Sequence, residues 1–151
     1  MEDNHSTVVE AQMLIRRPAK AVYEAFIDPQ LTKHFWFNRA SGPMETGKSL
    51  TWYWDMYQVS AAVFVKELVP NQRIVFEWGD PVTTVEMEMR VVNEGATYVV
   101  IRNHGFKLEG NELVKAVIDN TGGFTTVLDG LKAYLEHGID LNLIADKFAA
   151  K

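Results

Sequence analysis

The stretch NELVKAVIDNTGGFTTVLDGLKAYLEHG, residues 111–138, decides the fold of this chain. Its apolar residues recur at intervals of three and four, which predicts one long amphipathic helix near the C-terminus. These residues are Leu113, Val114, Val117, Ile118, Phe124, Val127, Leu128, Leu131, Tyr134 and Leu135. Asn111 is predicted as the N-cap, and Gly138, which follows the basic His137, as the stop. The apolar arc is wide, so the surface that receives it must be large or concave.

The unusual feature of this helix is the pair Gly122-Gly123 in its middle. Each glycine costs about 1 kcal/mol relative to alanine in a helix interior. One interpretation is a kink, or a break between two shorter helices. The other is that something must approach the backbone closely at this point.

Upstream of the helix, the pattern indicates strands. Residues 7–16 alternate apolar and polar side chains, as a strand does, and two short helices follow at 18–27 and after Asp28. A loop is predicted at 38–48, and five or six more strands then succeed one another to about residue 105, separated by short turns, which indicates an antiparallel sheet. In the first of these strands, Leu50, Trp52, Trp54 and Met56 are predicted to share one face. A long helix after such a sheet predicts an α+β fold in which the helix covers one face of a curved sheet.

The composition restricts the classes of function. The chain has 151 residues, 47% of them hydrophobic, and is predicted to form one domain, 1–151, with a core at about 7–138 and a C-terminal extension at 139–151. A net charge of −5 without a basic run argues against nucleic acid as a partner. Without cysteines, thiol catalysis and zinc-thiolate sites are excluded. Neither a signal peptide nor a membrane span is expected, so the predicted location is cytoplasmic.

Three segments resemble signature regions of the activator-of-heat-shock-ATPase-like family. They are VYEAFIDPQLTKHFW at 22–36, LVPNQRIVFEW at 68–78 and GFTTVLDGLKAYLEHG at 123–138. The family lies in the START/Bet-v helix-grip superfamily, also called SRPBCC. Its Gly-Trp pair in the long helix is Gly123-Phe124 here, and its strand-end Trp is Trp78. Its His near the end of the last strand is replaced by Asn103.

This resemblance implies a seven-stranded antiparallel sheet that grips the long helix, with a cavity between them. Members of the superfamily bind or transform apolar molecules such as lipids, sterols and polyketides. Others are co-chaperone domains that stimulate a heat-shock ATPase. In such a fold, Gly122-Gly123 would let the helix bend or lie close to the sheet near the cavity mouth.

The candidate ligand contacts are bulky apolar residues of the strands and the helix, together with two polar residues. The apolar candidates are Trp52, Trp54, Phe76, Trp78, Met87, Met89 and Phe124, and the polar candidates are Asn103 and Thr121. Apolar pockets with few polar groups are typical of small-molecule sites. The alternative is that the apolar residues only fill the core and that Asn103 bonds to the backbone.

No catalytic residue, metal site or cofactor is predicted. The four histidines, His5, His34, His104 and His137, do not have metal-ligand spacing. Asp55 or Glu67 could act as a general base if it lay at a cavity mouth, but no motif supports this.

Three functions therefore remain. The first is non-covalent binding of a small apolar molecule, lipid- or polyketide-like, between sheet and helix. The second is a cyclase- or hydrolase-type enzyme that uses the same cavity. The third is a co-chaperone-like interaction module, whose partner would be a heat-shock chaperone.

Overall fold

In the computed structural model, which describes residues 7–148, an antiparallel sheet packs against one long helix. The strands are β1 (Val9–Ile15), β2 (Arg39–Ala40), β3 (Ser49–Trp54), β4 (Val59–Val69), β5 (Arg73–Trp78), β6 (Thr83–Asn93) and β7 (Ala96–His104). The helices are α1 (Ala19–Ile27), α2 (Pro29–Thr32), α3 (Gly110–His137) and α4 (Leu143–Asp146). The strand order across the sheet is β1-β7-β6-β5-β4-β3-β2. The predicted α+β helix-grip fold, with two short helices after the first strand, is confirmed.

Alternation along the strands separates the inner face of the sheet from the outer face. On β6, Val85, Met87 and Met89 are buried, while the intervening Glu86 and Glu88 lie on the outer face. A residue period of two places alternate side chains on opposite faces, so one face of each strand supplies the core.

Three local predictions are wrong. The loop predicted between the α2 region and β3 contains the short strand β2, whose Arg39 pairs with Tyr53. Met56 was predicted to share the inner face of β3, but the strand ends at Trp54, and Met56 lies in a 3-10 turn with 42% of its surface exposed. The predicted N-cap Asn111 lies inside α3, which begins at Gly110.

The long helix α3 is continuous through Gly122-Gly123, so a break between two shorter helices is excluded. It ends as predicted, with Gly138 in the left-handed conformation at a φ of 66°. Val114 and Ile118, predicted on the buried stripe, are 56% and 64% exposed. The fully buried residues of α3 all lie between Phe124 and Leu131, so the apolar arc of its N-terminal half is wider than the surface that covers it.

At Gly130, α3 passes close to the residues that follow α2. A Cβ at Gly130 would lie 3.1 Å from the Cβ of Phe35 and 3.3 Å from its carbonyl oxygen. A Cβ at Gly123 would meet no atom of the described chain within 4 Å. Close packing by the protein itself therefore explains Gly130 and does not explain Gly123.

The C-terminal half of α3 is fastened to β1 by the carboxylate of Glu136. Its Oε2 accepts hydrogen bonds from the backbone N–H of Arg16 and from Lys132 Nζ, both at 2.7 Å. Lys132 Nζ also donates to the carbonyl of Leu14 at 2.8 Å. Burial raises the pKa of Glu136, but these hydrogen bonds outweigh it, and the pKa lies below its ordinary value.

Glu136→Gln is expected to lower the free energy of unfolding by about 1–2 kcal/mol at neutral pH, because charge-assisted hydrogen bonds are lost. A carboxylate with a lowered folded-state pKa stabilises the protein above its ordinary pKa, and that stabilisation disappears as the pH falls through the lowered value. Urea denaturation should therefore show wild type and variant converging as the pH falls below the ordinary pKa of a glutamate carboxyl group. Glu24→Gln, at an exposed position of α1, is the control. A difference in unfolding free energy between wild type and Glu136→Gln that does not change with pH would contradict the expectation.

Candidate functional site

A cavity of about 230 Å³ lies between the middle of α3, the ends of β3 and β5, and the C-terminal segment. We call it the main cavity. Its lining consists of Trp36, Trp54, Tyr57, Trp78, Asp119, Asn120, Gly123, Phe124, Val127, Ile144, Lys147 and Phe148. Half of these residues are aromatic, which suits the binding of an apolar molecule.

Trp36, which follows α2, is the centre of the aromatic wall. Its ring centroid lies 4.9 Å from that of Trp52, 5.9 Å from that of Trp78 and 6.2 Å from that of Phe124. Trp78 in turn lies 5.9 Å from Phe124. These tilted and edge-on contacts hold the rings against one another. The wall of the main cavity is therefore built from mutually packed side chains.

The polar side chains of α3 around the glycine pair bond to their own helix. Thr121 Oγ1 donates to the carbonyl of Val117 at 2.6 Å, and Thr126 Oγ1 donates to that of Gly122 at 2.8 Å. Asn120 Nδ2 donates to the carbonyl of Ala116 at 2.8 Å. Hydroxyl groups bonded four residues back are satisfied within the helix, so they add little polarity to the cavity.

The predicted ligand contacts are divided between the cavity lining and the core. Trp54, Trp78 and Phe124 line the main cavity. Trp52, Phe76, Met87 and Met89 are buried in the core beneath the sheet's inner face. Thr121 is half-buried on α3 and borders none of the cavities described here.

Asn103, the other polar candidate, is fully buried on the inner face of β7. Its Nδ2 donates to Thr83 Oγ1 and to the backbone carbonyl of Thr84, both at 2.9 Å. Its Oδ1 has no hydrogen-bond partner among residues 7–148. Buried acceptors are normally paired, so this oxygen can accept a bond from a water or a ligand.

A second cavity, of about 370 Å³, lies on the other side of Trp54 and Trp78. We call it the side cavity. It is lined by Trp54, Ala61, Trp78, Gly79, Asp80, Pro81, Thr83, Phe106, Leu108, Ala116 and Asn120. Trp54, Trp78 and Asn120 border both cavities, so the two spaces are adjacent.

Several lining residues were missed in the sequence. Trp36 belongs to the aromatic run Phe35–Phe37, but it lies in a turn, where no periodicity orients a side chain. Tyr57 lies in the 3-10 turn after β3, and Ile144, Lys147 and Phe148 belong to the C-terminal segment. The aromatic run was the one available signal.

The two carboxylates considered as general bases are engaged in ion pairs and line none of these cavities. Asp55 accepts hydrogen bonds from Arg39 Nε at 2.8 Å and from Asn38 Nδ2 at 2.6 Å, and these bonds lower its pKa. Glu67 accepts from Arg73 Nε at 2.9 Å. Neither carboxylate is placed to take a proton from a molecule in the main cavity.

Between residues 7 and 148, no group of three His, Asp or Glu side chains is arranged to hold a metal ion. His5 lies outside the described residues. Within the same range, no helix is long and apolar enough to cross a membrane.

The chain belongs to the family described as Activator of Hsp90 ATPase homolog 1-like protein, whose family model matches residues 16–136. The resemblance seen in the sequence is thereby confirmed, and with it the helix-grip superfamily. No curated protein matches the sequence.

Solved structures share the fold over most of the chain. A protein from Staphylococcus saprophyticus is 28% identical, with a TM-score of 0.78 over 89% of this chain and 96% of that one. DynU16, a protein of the dynemicin biosynthetic locus, is 22% identical with a TM-score of 0.78, over 92% of this chain but 49% of its own. The Aha1 dimer from Colwellia psychrerythraea is 17% identical with a TM-score of 0.74, over 87% of this chain and 98% of that one. At 22% and 17% identity the likeness concerns the fold alone.

Proposed function

We propose that this protein binds a small apolar molecule, lipid- or polyketide-like, in the main cavity and without covalent chemistry. The aromatic wall around Trp36 offers a large, already packed apolar surface to such a molecule. Pockets of this composition bind ligands by burying apolar area, with a few polar groups to orient them. The likeness of the fold to a protein of a biosynthetic locus also favours a small organic ligand.

The observation that carries the proposal is the open space at Gly123. A glycine in a helix interior costs about 1 kcal/mol relative to alanine. Gly123 borders the main cavity, and a Cβ there would meet no atom of residues 7–148 within 4 Å. A side chain at this position would extend into the cavity, so the glycine keeps open a space that the protein does not use for packing.

Gly123→Leu is expected to leave the protein folded while abolishing ligand binding. The leucine improves helix propensity by up to about 1 kcal/mol and meets no neighbouring atom at its Cβ. Its side chain occupies the cavity, so an apolar ligand no longer raises the melting temperature. The measurement is a thermal-shift screen of fatty acids, sterols and flavonoid-like compounds on wild type and variant.

Gly122→Ala is the matched control, because its Cβ would lie 3.7 Å from Lys147 Nζ, an ordinary contact, and the residue does not line the cavity. This variant should gain helix propensity and keep the ligand response. A wild type that shows no shift with any class of compound would count against the proposal.

A co-chaperone-like interaction module is the second candidate, supported by the family and by the exposed apolar pair Val114 and Ile118. These residues lie one turn apart on α3, away from the main cavity. If they form the contact, Val114→Ser with Ile118→Ser should abolish stimulation of a heat-shock ATPase in a coupled assay. Ligand-induced thermal shifts should persist in the same variant, which separates the two functions. An ATPase rate that does not respond to the wild-type protein would exclude this candidate.

A further inference from the structure

The C-terminal segment 139–148, which we call the strap, lies across the main cavity. The hydroxyl of Tyr57 donates to the carbonyls of Ile144, at 2.5 Å, and Ala145, at 3.1 Å. Lys147 Nζ donates to Thr126 Oγ1 at 3.1 Å, and the ring of Phe148 lies edge-on to Tyr57 at 5.9 Å. The strap therefore contacts both α3 and the 3-10 turn after β3.

A smaller pocket of about 150 Å³ lies on the other side of the strap, and we call it the mouth pocket. Its lining is Lys33, His34, Phe35, Trp36, Asn38, Met56, Asp140, Asn142, Leu143, Ile144 and Ala145. Trp36 and Ile144 border both the mouth pocket and the main cavity. Ile144 thus lies at the boundary of both spaces, beside Trp36, and we expect its truncation to open one space towards the other.

The charges of the mouth pocket come from two different parts of the chain. Its basic groups, Lys33 and His34, follow α2, whereas the one acidic residue among its described lining, Asp140, belongs to the strap. His34 Nδ1 lies 3.5 Å from Asp140 Oδ2, and the imidazole stacks on Tyr134 at a centroid distance of 4.6 Å. If the strap moves away, the lining keeps its basic groups and loses its carboxylate.

None of the strap residues 139–148 is fully buried. Ile139, Leu141 and Phe148 are each about half exposed, at 49%, 48% and 56%, and α4 is a single turn. Segments with little buried apolar surface open locally at small free-energy cost. A ligand with modest affinity for the uncovered site could therefore displace this segment.

We propose that the strap occupies the place of the ligand when no ligand is bound, and that the ligand is an amphipathic anion. Ile144 takes the place of the apolar body where it enters the main cavity. The carboxylate of Asp140 takes the place of the anionic head beside His34 and Lys33. This inference rests on the proposed function of the main cavity, and it adds the chemical class of the head group and the route of entry.

The test uses three probes with one alkyl chain and different heads: dodecanoate, dodecanol and dodecyltrimethylammonium. Isothermal titration calorimetry on the full chain measures the affinity of each. Asp140→Asn weakens the contact of the strap with His34. Dodecanoate, which competes with the strap for this place, should therefore bind about threefold to fivefold more tightly, the factor expected for one partly exposed ion pair. Asp146→Asn removes the same charge from the strap without touching the mouth pocket and should change nothing.

The contacts of Ile144, in place of the apolar body, and of Asp140, in place of the anionic head, can be tested separately. Ile144→Ala should tighten binding of both dodecanoate and dodecanol, whereas Leu141→Ala, at an exposed position of the strap, should not. In the Asp140→Asn background, adding His34→Gln should weaken dodecanoate by about threefold and leave dodecanol unchanged. The double variant distinguishes a contact of His34 with the head group from a loosening of the strap.

Each outcome is decisive. Equal affinities for the three heads, or a preference for dodecyltrimethylammonium, would overturn the anionic head while leaving apolar binding intact. An Asp140→Asn variant that behaves like Asp146→Asn would overturn the role of the strap. If none of the probes binds either wild type or the strap variants, the proposed function itself fails.

Discussion

Replacing Leu128 by alanine is expected to lower the free energy of unfolding by about 2–5 kcal/mol, the range for a buried leucine. Leu128 is fully buried on the face of α3 that meets the sheet. The substitution removes apolar contacts and leaves a cavity that the packed surroundings cannot close. Urea denaturation at equilibrium measures the loss, provided that the slope of the transition is unchanged.

Ile118→Ala is the control for this prediction, since it removes an apolar side chain from the same helix at a position that is 64% exposed. Surface substitutions usually stay within about 0.5 kcal/mol. A Leu128 variant that loses no more than the Ile118 variant would mean that α3 turns a different face to the sheet.

Leu128 and Ile118 also show what periodicity can predict. Both belong to the apolar arc seen in the sequence, and that arc predicted a helix that covers one face of the sheet. Periodicity fixes which way a helix faces, but not how far the partner surface extends along it. Full burial on α3 extends only from Phe124 to Leu131; Leu113 and Val117 are partly buried, and Ile118, at the edge of the same arc, is 64% exposed. That extent depends on the packing of the whole sheet.

The candidate site was only partly predictable for a related reason. Trp54 and Trp78 were found because strand alternation orients their side chains towards the interior. Trp36 lies after α2 in a turn, where no periodicity orients it, and Ile144 lies in a short segment distant in sequence, so no local pattern shows that either residue meets the cavity. A cavity is also a property of what the side chains leave unfilled, and this follows from tertiary packing.

Gly123 illustrates the same limit. From the sequence, its cost in helix stability required a reason, and a close approach of another element was one candidate. The close approach occurs at Gly130, and the space over Gly123 is open. A glycine that admits a neighbour and a glycine that borders a void look alike in the sequence, because both are defined by atoms elsewhere in the chain.

Phe124→Ala is the second substitution with a large expected effect, about 3–5 kcal/mol of lost unfolding free energy. Phe124 is 3% exposed and packs on Trp36 and Trp78. Because it also lines the main cavity, its removal should enlarge that cavity instead of making an isolated hole. The variant should then regain stability with apolar probes that are too large for the wild type, since a ligand that binds only the native state shifts the unfolding equilibrium.

Phe37→Ala separates the loss of stability from the enlargement of the main cavity. Phe37 is 1% exposed and packs on Trp52, but it does not line the main cavity. Its loss should cost a similar free energy, because an aromatic ring leaves the core in both variants. Thermal shifts measured with benzene, naphthalene and anthracene should move towards the larger probes in the Phe124 variant only. Identical responses of the two variants would mean that Phe124 fills the core in the same way as Phe37, and that the space beside Gly123 is not the site of binding.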